Sequence, residues 1–146
     1  MKKVINTSWH IFLVIYYKLA FYTGGLIDDE YYVAAGNNWV KLNNYERAIS
    51  NYKMALKTED ISFTRNMIGW CYLKLRKYEE ACLHYNKAYE KKNDIIHLIG
   101  VAYCKHYLGK SNEAKSILND IKTNNKDINQ DNLEDINQLE EIIVKT

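Results

Sequence analysis

Residues 29–61 and 62–94 align without a gap, and this internal repeat restricts the possible folds more than any other feature of the chain. Gly36 falls on Gly69, Leu42 on Leu75, Tyr45 on Tyr78 and Glu46 on Glu79. Ala48 falls on Ala81, Tyr52 on Tyr85 and Ala55 on Ala88. A third copy begins near Ile95 and keeps Leu108 and Ala114 at the same 33-residue step, with Ala102, Leu118 and Ile121 at the small and apolar positions. A unit this short cannot bury its own apolar face, so neighbouring units must stack.

The repeated unit reads as two helices. Ala48, Tyr52 and Ala55 recur at steps of four and three, which places them on one face of a helix, and Ala81, Tyr85 and Ala88 repeat the pattern. Gly36 and Gly69 fall inside the first helix of each pair, where glycine costs about 1 kcal/mol relative to alanine. That cost predicts a second helix in very close approach. Asn43-Asn44 and Arg76-Lys77 form the turns within pairs, while Thr58-Glu59-Asp60 and Asn93-Asp94 supply N-cap chemistry between them. The chain contains no proline and six glycines, which disfavours a turn-rich β-sandwich or barrel. With 146 residues it fits one domain with a sizeable core. Three parts are expected: an N-terminal segment (1–28), three repeats (29–61, 62–94 and 95–121), and a C-terminal part (122–146).

The ends differ from the repeats. Residues 8–22 read as a strongly apolar helix, capped by Ser8 and stopped by Gly24-Gly25. About 15 helical residues reach only ~22 Å, short of a ~30 Å hydrocarbon core, and Lys18 would be costly there. Burial against the first repeat is the preferred reading. Ile15, Leu19 and Tyr22 would then fill the slots of Ala48, Tyr52 and Ala55 as a half-repeat. A membrane anchor and a homodimer interface stay open as alternatives. Residues 123–131 read as a polar linker, and 132–144 as an amphipathic capping helix with Leu133, Ile136, Leu139 and Ile143 inward.

The sequence offers no chemistry. The net charge of +2 and pI of 8.3 do not suggest nucleic-acid binding. Three cysteines without paired spacing point to a reducing cytoplasm rather than a disulfide framework. Cys82-x-His84 and Cys104-x-His106 place their members on different helix faces. Cys71 and Cys104 occupy equivalent positions and read as buried thiols. His10, His84, His97 and His106 have no metal-site spacing, and no CxxC, HExxH or phosphate loop is present. Neither an enzyme nor a metal- or cofactor-binding protein is expected.

The repeat resembles the tetratricopeptide repeat (TPR) family, whose motif is W-x2-L-G-x2-Y followed by A-x3-F. Tyr32, Ala35, Gly36 and Trp39, then Ala48 and Tyr52, fill it in the first unit. Ile68, Gly69 and Tyr72, then Ala81 and Tyr85, fill it in the second. Arg65 replaces the opening aromatic, no unit ends in proline, and Lys105 breaks the third motif. Gly100 and Tyr103 would restore that motif only by a two-residue shift, so the ungapped register is preferred. The resemblance implies an all-α, right-handed solenoid of antiparallel helix pairs, with the apolar N-terminal helix and the C-terminal cap added.

It also implies that the first helices line a concave groove that binds another protein or peptide. By register the lining is Val33, Asn37, Val40 and Lys41, then Asn66, Trp70, Leu73 and Lys74, then Ile99, Tyr103, His106 and Tyr107. Trp70→Ala with Lys74→Glu should abolish capture without altering the melt. Some family members clamp the acidic tails of heat-shock chaperones. Here Asn37 matches that clamp, but Val33, Met67, Ile96 and Gly100 do not, which disfavours the same ligand. The expected function is a cytoplasmic interaction module or adaptor. A dedicated chaperone or toxin-immunity protein and a membrane-tethered assembly factor are the alternatives.

Overall fold

The computed structural model describes residues 11, 12, 15, 16, 18, 19, 22, 28–125 and 128–145. Among residues 28–145 the described chain forms seven helices: α1 (Asp28–Lys41), α2 (Tyr45–Thr58), α3 (Ser62–Lys74), α4 (Tyr78–Lys91), α5 (Ile95–Tyr107), α6 (Ser111–Asn124) and α7 (Gln130–Lys145). No strand occurs among the described residues. The boundaries of α2, α4 and α6 recur at the 33-residue step, as do those of α3 and α5. Each helix packs on the next, and α5 also packs on both α3 and α7. The result is a stacked row of helix pairs with α7 closing its end.

The turns show why the step is constant. Asn43, Arg76 and Gly109 follow the first helix of each pair and all adopt positive φ, at 56°, 58° and 77°. In each turn the amide one residue further on returns to the helix: Asn44 to Trp39, Lys77 to Tyr72 and Lys110 to Lys105, all at 2.9 Å. This left-handed C-terminal motif satisfies carbonyls that the helix end would otherwise strand. Asn and Gly tolerate the conformation, whereas Arg76 carries a steric cost of about 1–2 kcal/mol. Between pairs, Asp94 caps α5 by accepting from the Ile96 amide at 3.3 Å. Asp60 does not cap α3 as its position suggests. Its carboxylate instead pairs with Arg65 and reaches Lys91 at 3.3 Å, and these charges hold it below its usual pKa.

Burial follows the repeat. Ala48, Ala81 and Ala114 are buried at one register position, Tyr52, Tyr85 and Leu118 at the next, and Ala55, Ala88 and Ile121 at the third. Tyr31, Thr64 and His97 form another buried set on the first helices. The close approach expected at the glycines is made by a tyrosine ring rather than by a helix backbone. A Cβ added at Gly36 would lie 2.5 Å from the Tyr52 ring. Tyr85 fits between two helices: a Cβ at Gly69 would meet it at 3.1 Å, and one at Gly100 at 2.5 Å.

α7 buries Ile136, Leu139 and Ile143 against Ile99, Ala102, Ala114, Leu118 and Ile121. It therefore continues the core, and it is longer at both ends than its periodicity predicts. Residues 11, 12, 15, 16, 18, 19 and 22 are helical. Ile15, Leu19 and Tyr22 are 51%, 60% and 74% exposed, unlike the buried second-helix residues whose slots they were expected to fill. The rest of the 8–22 segment, with Ser8 and Gly24-Gly25, lies outside the described residues. No helix among the described residues is long and apolar enough to cross a membrane.

Candidate functional site

A cavity of about 870 Å³ opens on the first-helix side of the stack. Its floor is α5, which presents Ile96, Ile99, Gly100, Tyr103 and Tyr107. One wall is α3 with its following turn, carrying Asn66, Trp70, Leu73, Lys74 and Arg76. Asp135 and Gln138 of α7 form the opposite wall, while Tyr78 and Tyr85 of α4 reach in from behind. This layout follows from α5 contacting both α3 and α7.

The lining is held in place by specific contacts. Trp70 meets Tyr45 edge-to-face at 5.6 Å, and the Lys74 ammonium lies 5.0 Å from the Trp70 ring centroid. Tyr107 stacks on Tyr78 at 5.0 Å with only 13° between the rings. Tyr103 donates from its hydroxyl to the Asp135 carbonyl at 3.2 Å, tying the floor to the far wall. Burial, with Asp135 and Tyr107 nearby, pushes the Tyr103 phenol up to about 12. His97 Nδ1 and the Asn66 amide oxygen are 3.0 Å apart, linking α5 to α3. Burial pushes the His97 pKa down, with Asp94 acting against it.

Of the twelve residues expected to line the groove, seven border this cavity: Asn66, Trp70, Leu73, Lys74, Ile99, Tyr103 and Tyr107. The first-unit residues do not. Val33 and Val40 pack on the cluster around Ala48, Ile49, Tyr52 and Ile68. Asn37 accepts from the Tyr52 hydroxyl at 2.7 Å, and Lys41 is exposed. His106 is also displaced from the expected lining. It is buried, with Nδ1 3.0 Å from Ser111 Oγ on α6. Trp70 is only partly a surface residue, since it packs against two core clusters. Truncating Trp70 is therefore expected to lower the melting temperature as well.

Arg76, Tyr78, Tyr85, Ile96, Gly100, Asp135 and Gln138 were not among the expected lining. For Tyr78 a signal existed, because Tyr45 and Tyr78 open successive second helices. The two residues from α7 had none, since nothing in the repeat says how a non-repeat helix docks. Cys71, Cys82 and Cys104 are free thiols, and burial pushes the Cys71 and Cys104 thiols up to about 12. No cluster of three or more His, Cys, Asp or Glu residues able to hold a metal occurs among the described residues.

Residues 67–91 match the tetratricopeptide repeat family model. The helices superimpose on the second TPR domain of human RPAP3, whose NMR structure was solved in complex with the HSP70 peptide SGPTIEEVD. The TM-score is 0.62 and the identity 24%, covering 72% of this chain and 88% of that one. This chain has the tetratricopeptide fold. In TPR terms, α1–α2, α3–α4 and α5–α6 are its helix pairs. No curated protein matches the chain.

Proposed function

We propose that this TPR chain is a non-catalytic interaction module that captures a segment of a partner protein in the cavity between α3, α5 and α7. One observation carries the reading. The cavity is partly enclosed, its volume lies within the ~300–1,000 Å³ range of binding pockets, and it presents Trp70, Leu73, Tyr103 and Tyr107 incompletely buried. Large aromatics in such a place supply the contacts that dominate affinity. The RPAP3 domain in its peptide complex supports the same mode of use. Its ligand is not carried over, because Val33, Met67, Ile96 and Gly100 replace the residues of the acidic-tail clamp. Three free thiols fit the proposed cytoplasmic setting.

The test is affinity capture from the source cells with wild type, Ile96→Ala/Tyr107→Ala and Leu83→Lys. Ile96 and Tyr107 are both at least 40% exposed, so their truncation spares the core; Leu83 is exposed on α4, outside the cavity. The proposal expects the partner to be lost from the double variant and kept by Leu83→Lys. The reverse pattern overturns it.

A further inference from the structure

The two walls of the cavity carry opposite charge. Lys74 and Arg76 stand on the α3 side, and Asp135 stands on the α7 side with the apolar and aromatic floor between them. No ion pair neutralises either wall: among the described residues none joins Lys74, Arg76 or Asp135 to an opposite charge. Asp135 is surrounded by its own sign. Burial, Glu134 and Asp131 together raise its pKa, so a cation placed beside it would be stabilised.

Arg76 adds an independent observation. It holds the left-handed turn position that Asn43 and Gly109 hold in the other two pairs, at φ 58°. Asn and Gly adopt that conformation readily, whereas a long side chain does so at a steric cost. Of the three turn residues only Arg76 lines the cavity. The chain places a strained arginine where charge faces the site, and strain of this kind marks functional positions.

We infer that the occupant is a short peptide segment with a fixed polar order: an acidic group toward Lys74 and Arg76, a large apolar or aromatic side chain on the α5 floor, and a basic group toward Asp135. Such an order sets the direction in which the segment lies and excludes segments charged uniformly with either sign. This inference rests on the capture reading above and specifies its ligand.

The test is selection of a displayed random heptapeptide library on the full chain. Wild type should enrich peptides in which an apolar core separates one acidic from one basic residue. Lys74→Glu should exchange the acidic residue for a basic one, and Asp135→Lys should do the opposite. For a peptide selected on wild type, Arg76→Gly should weaken binding by about three- to fivefold while raising the melting temperature. A loss of affinity in a more stable protein separates the charge from any folding defect. If the enriched peptides depend on Ile96 and Tyr107 but ignore all three charge variants, the polar order is wrong and capture in the cavity survives. If enrichment fails, or persists in Ile96→Ala/Tyr107→Ala, both ideas fall.

Discussion

Val33, Asn37 and Val40 on α1 stand at the register positions of Asn66, Trp70 and Leu73 on α3, but the two sets have different surroundings. The α1 residues are drawn into the first pair: the valines pack on the cluster around Tyr52, and Asn37 holds the Tyr52 hydroxyl. The α3 residues line a cavity. α3 is followed by α5, and α5 carries α7 on its other side, so a wall rises beyond the floor. An equivalent helical face thus borders a cavity only where the stack encloses it. The capture proposed above is therefore assigned to the second and third pairs and the non-repeat helix, which together line the cavity.

Tyr85 lets that difference be broken most severely. Its ring lies between Gly69 and Gly100 and lines the cavity. Tyr85→Ala should cost about 3–5 kcal/mol in urea unfolding, by analogy with other buried aromatics, and should also abolish peptide binding. Tyr52→Ala, in the first pair, should destabilise on a similar scale and leave binding by the surviving folded fraction intact. Equal loss of binding in both variants would erase the distinction between the regions. Gly100→Ala comes next. Its new methyl would meet the Tyr85 ring at 2.5 Å, so a loss of about 1–3 kcal/mol is expected. Gly69→Ala, at 3.1 Å, should lose less by the same measurement.

The helices and their order were legible in the sequence because small residues, turns and apolar faces all repeat at one step. Ala48, Ala81 and Ala114 occupy the same buried slot for that reason. The lining of the cavity was half legible. Trp70 and Tyr103 could be placed by register, but His106 could not, because Ser111 at the start of α6 gives its imidazole an inward partner. Asp135 and Gln138 belong to a helix with no counterpart in the repeat, so periodicity cannot place them. Residues 15, 19 and 22 show the opposite failure: they share the 33-residue register with buried residues yet are exposed. Register alone does not set burial.

A smaller effect separates the pairs by pH. His84 on α4 is half-buried against Tyr72, and burial with nearby Arg65, Lys53 and Lys87 pushes it down to about 4 from an ordinary 6.5. The unfolded chain therefore binds a proton that the folded chain resists. Stability from this group is complete above 6.5 and declines as pH falls toward 4. Its counterpart in the first pair is Asn51, which donates to the Arg47 carbonyl at 2.8 Å and does not titrate. His84→Asn should flatten the slope of melting temperature against pH in that window. An unchanged slope would remove His84 as its source.

The smallest effect lies at the capped end. Lys122 on α6 bonds Glu140 on α7 at 2.6 Å, in a partly exposed pair. Lys122→Ala should cost no more than about 1 kcal/mol in denaturant and leave binding unchanged, since apolar burial rather than this ion pair holds α7. A larger loss would mean that α7 docks mainly by charge.

The two described tryptophans allow the account to be tested in one titration. Both pack on the cluster around Tyr52 and Ile68, but Trp70 borders the cavity and Trp39 does not. In the nitrogen–proton correlation spectrum of the labelled chain, added partner peptide should shift the indole resonance of Trp70 and leave that of Trp39 in place. Movement of Trp39 with Trp70 unmoved would put the binding surface on the first pair and contradict the account.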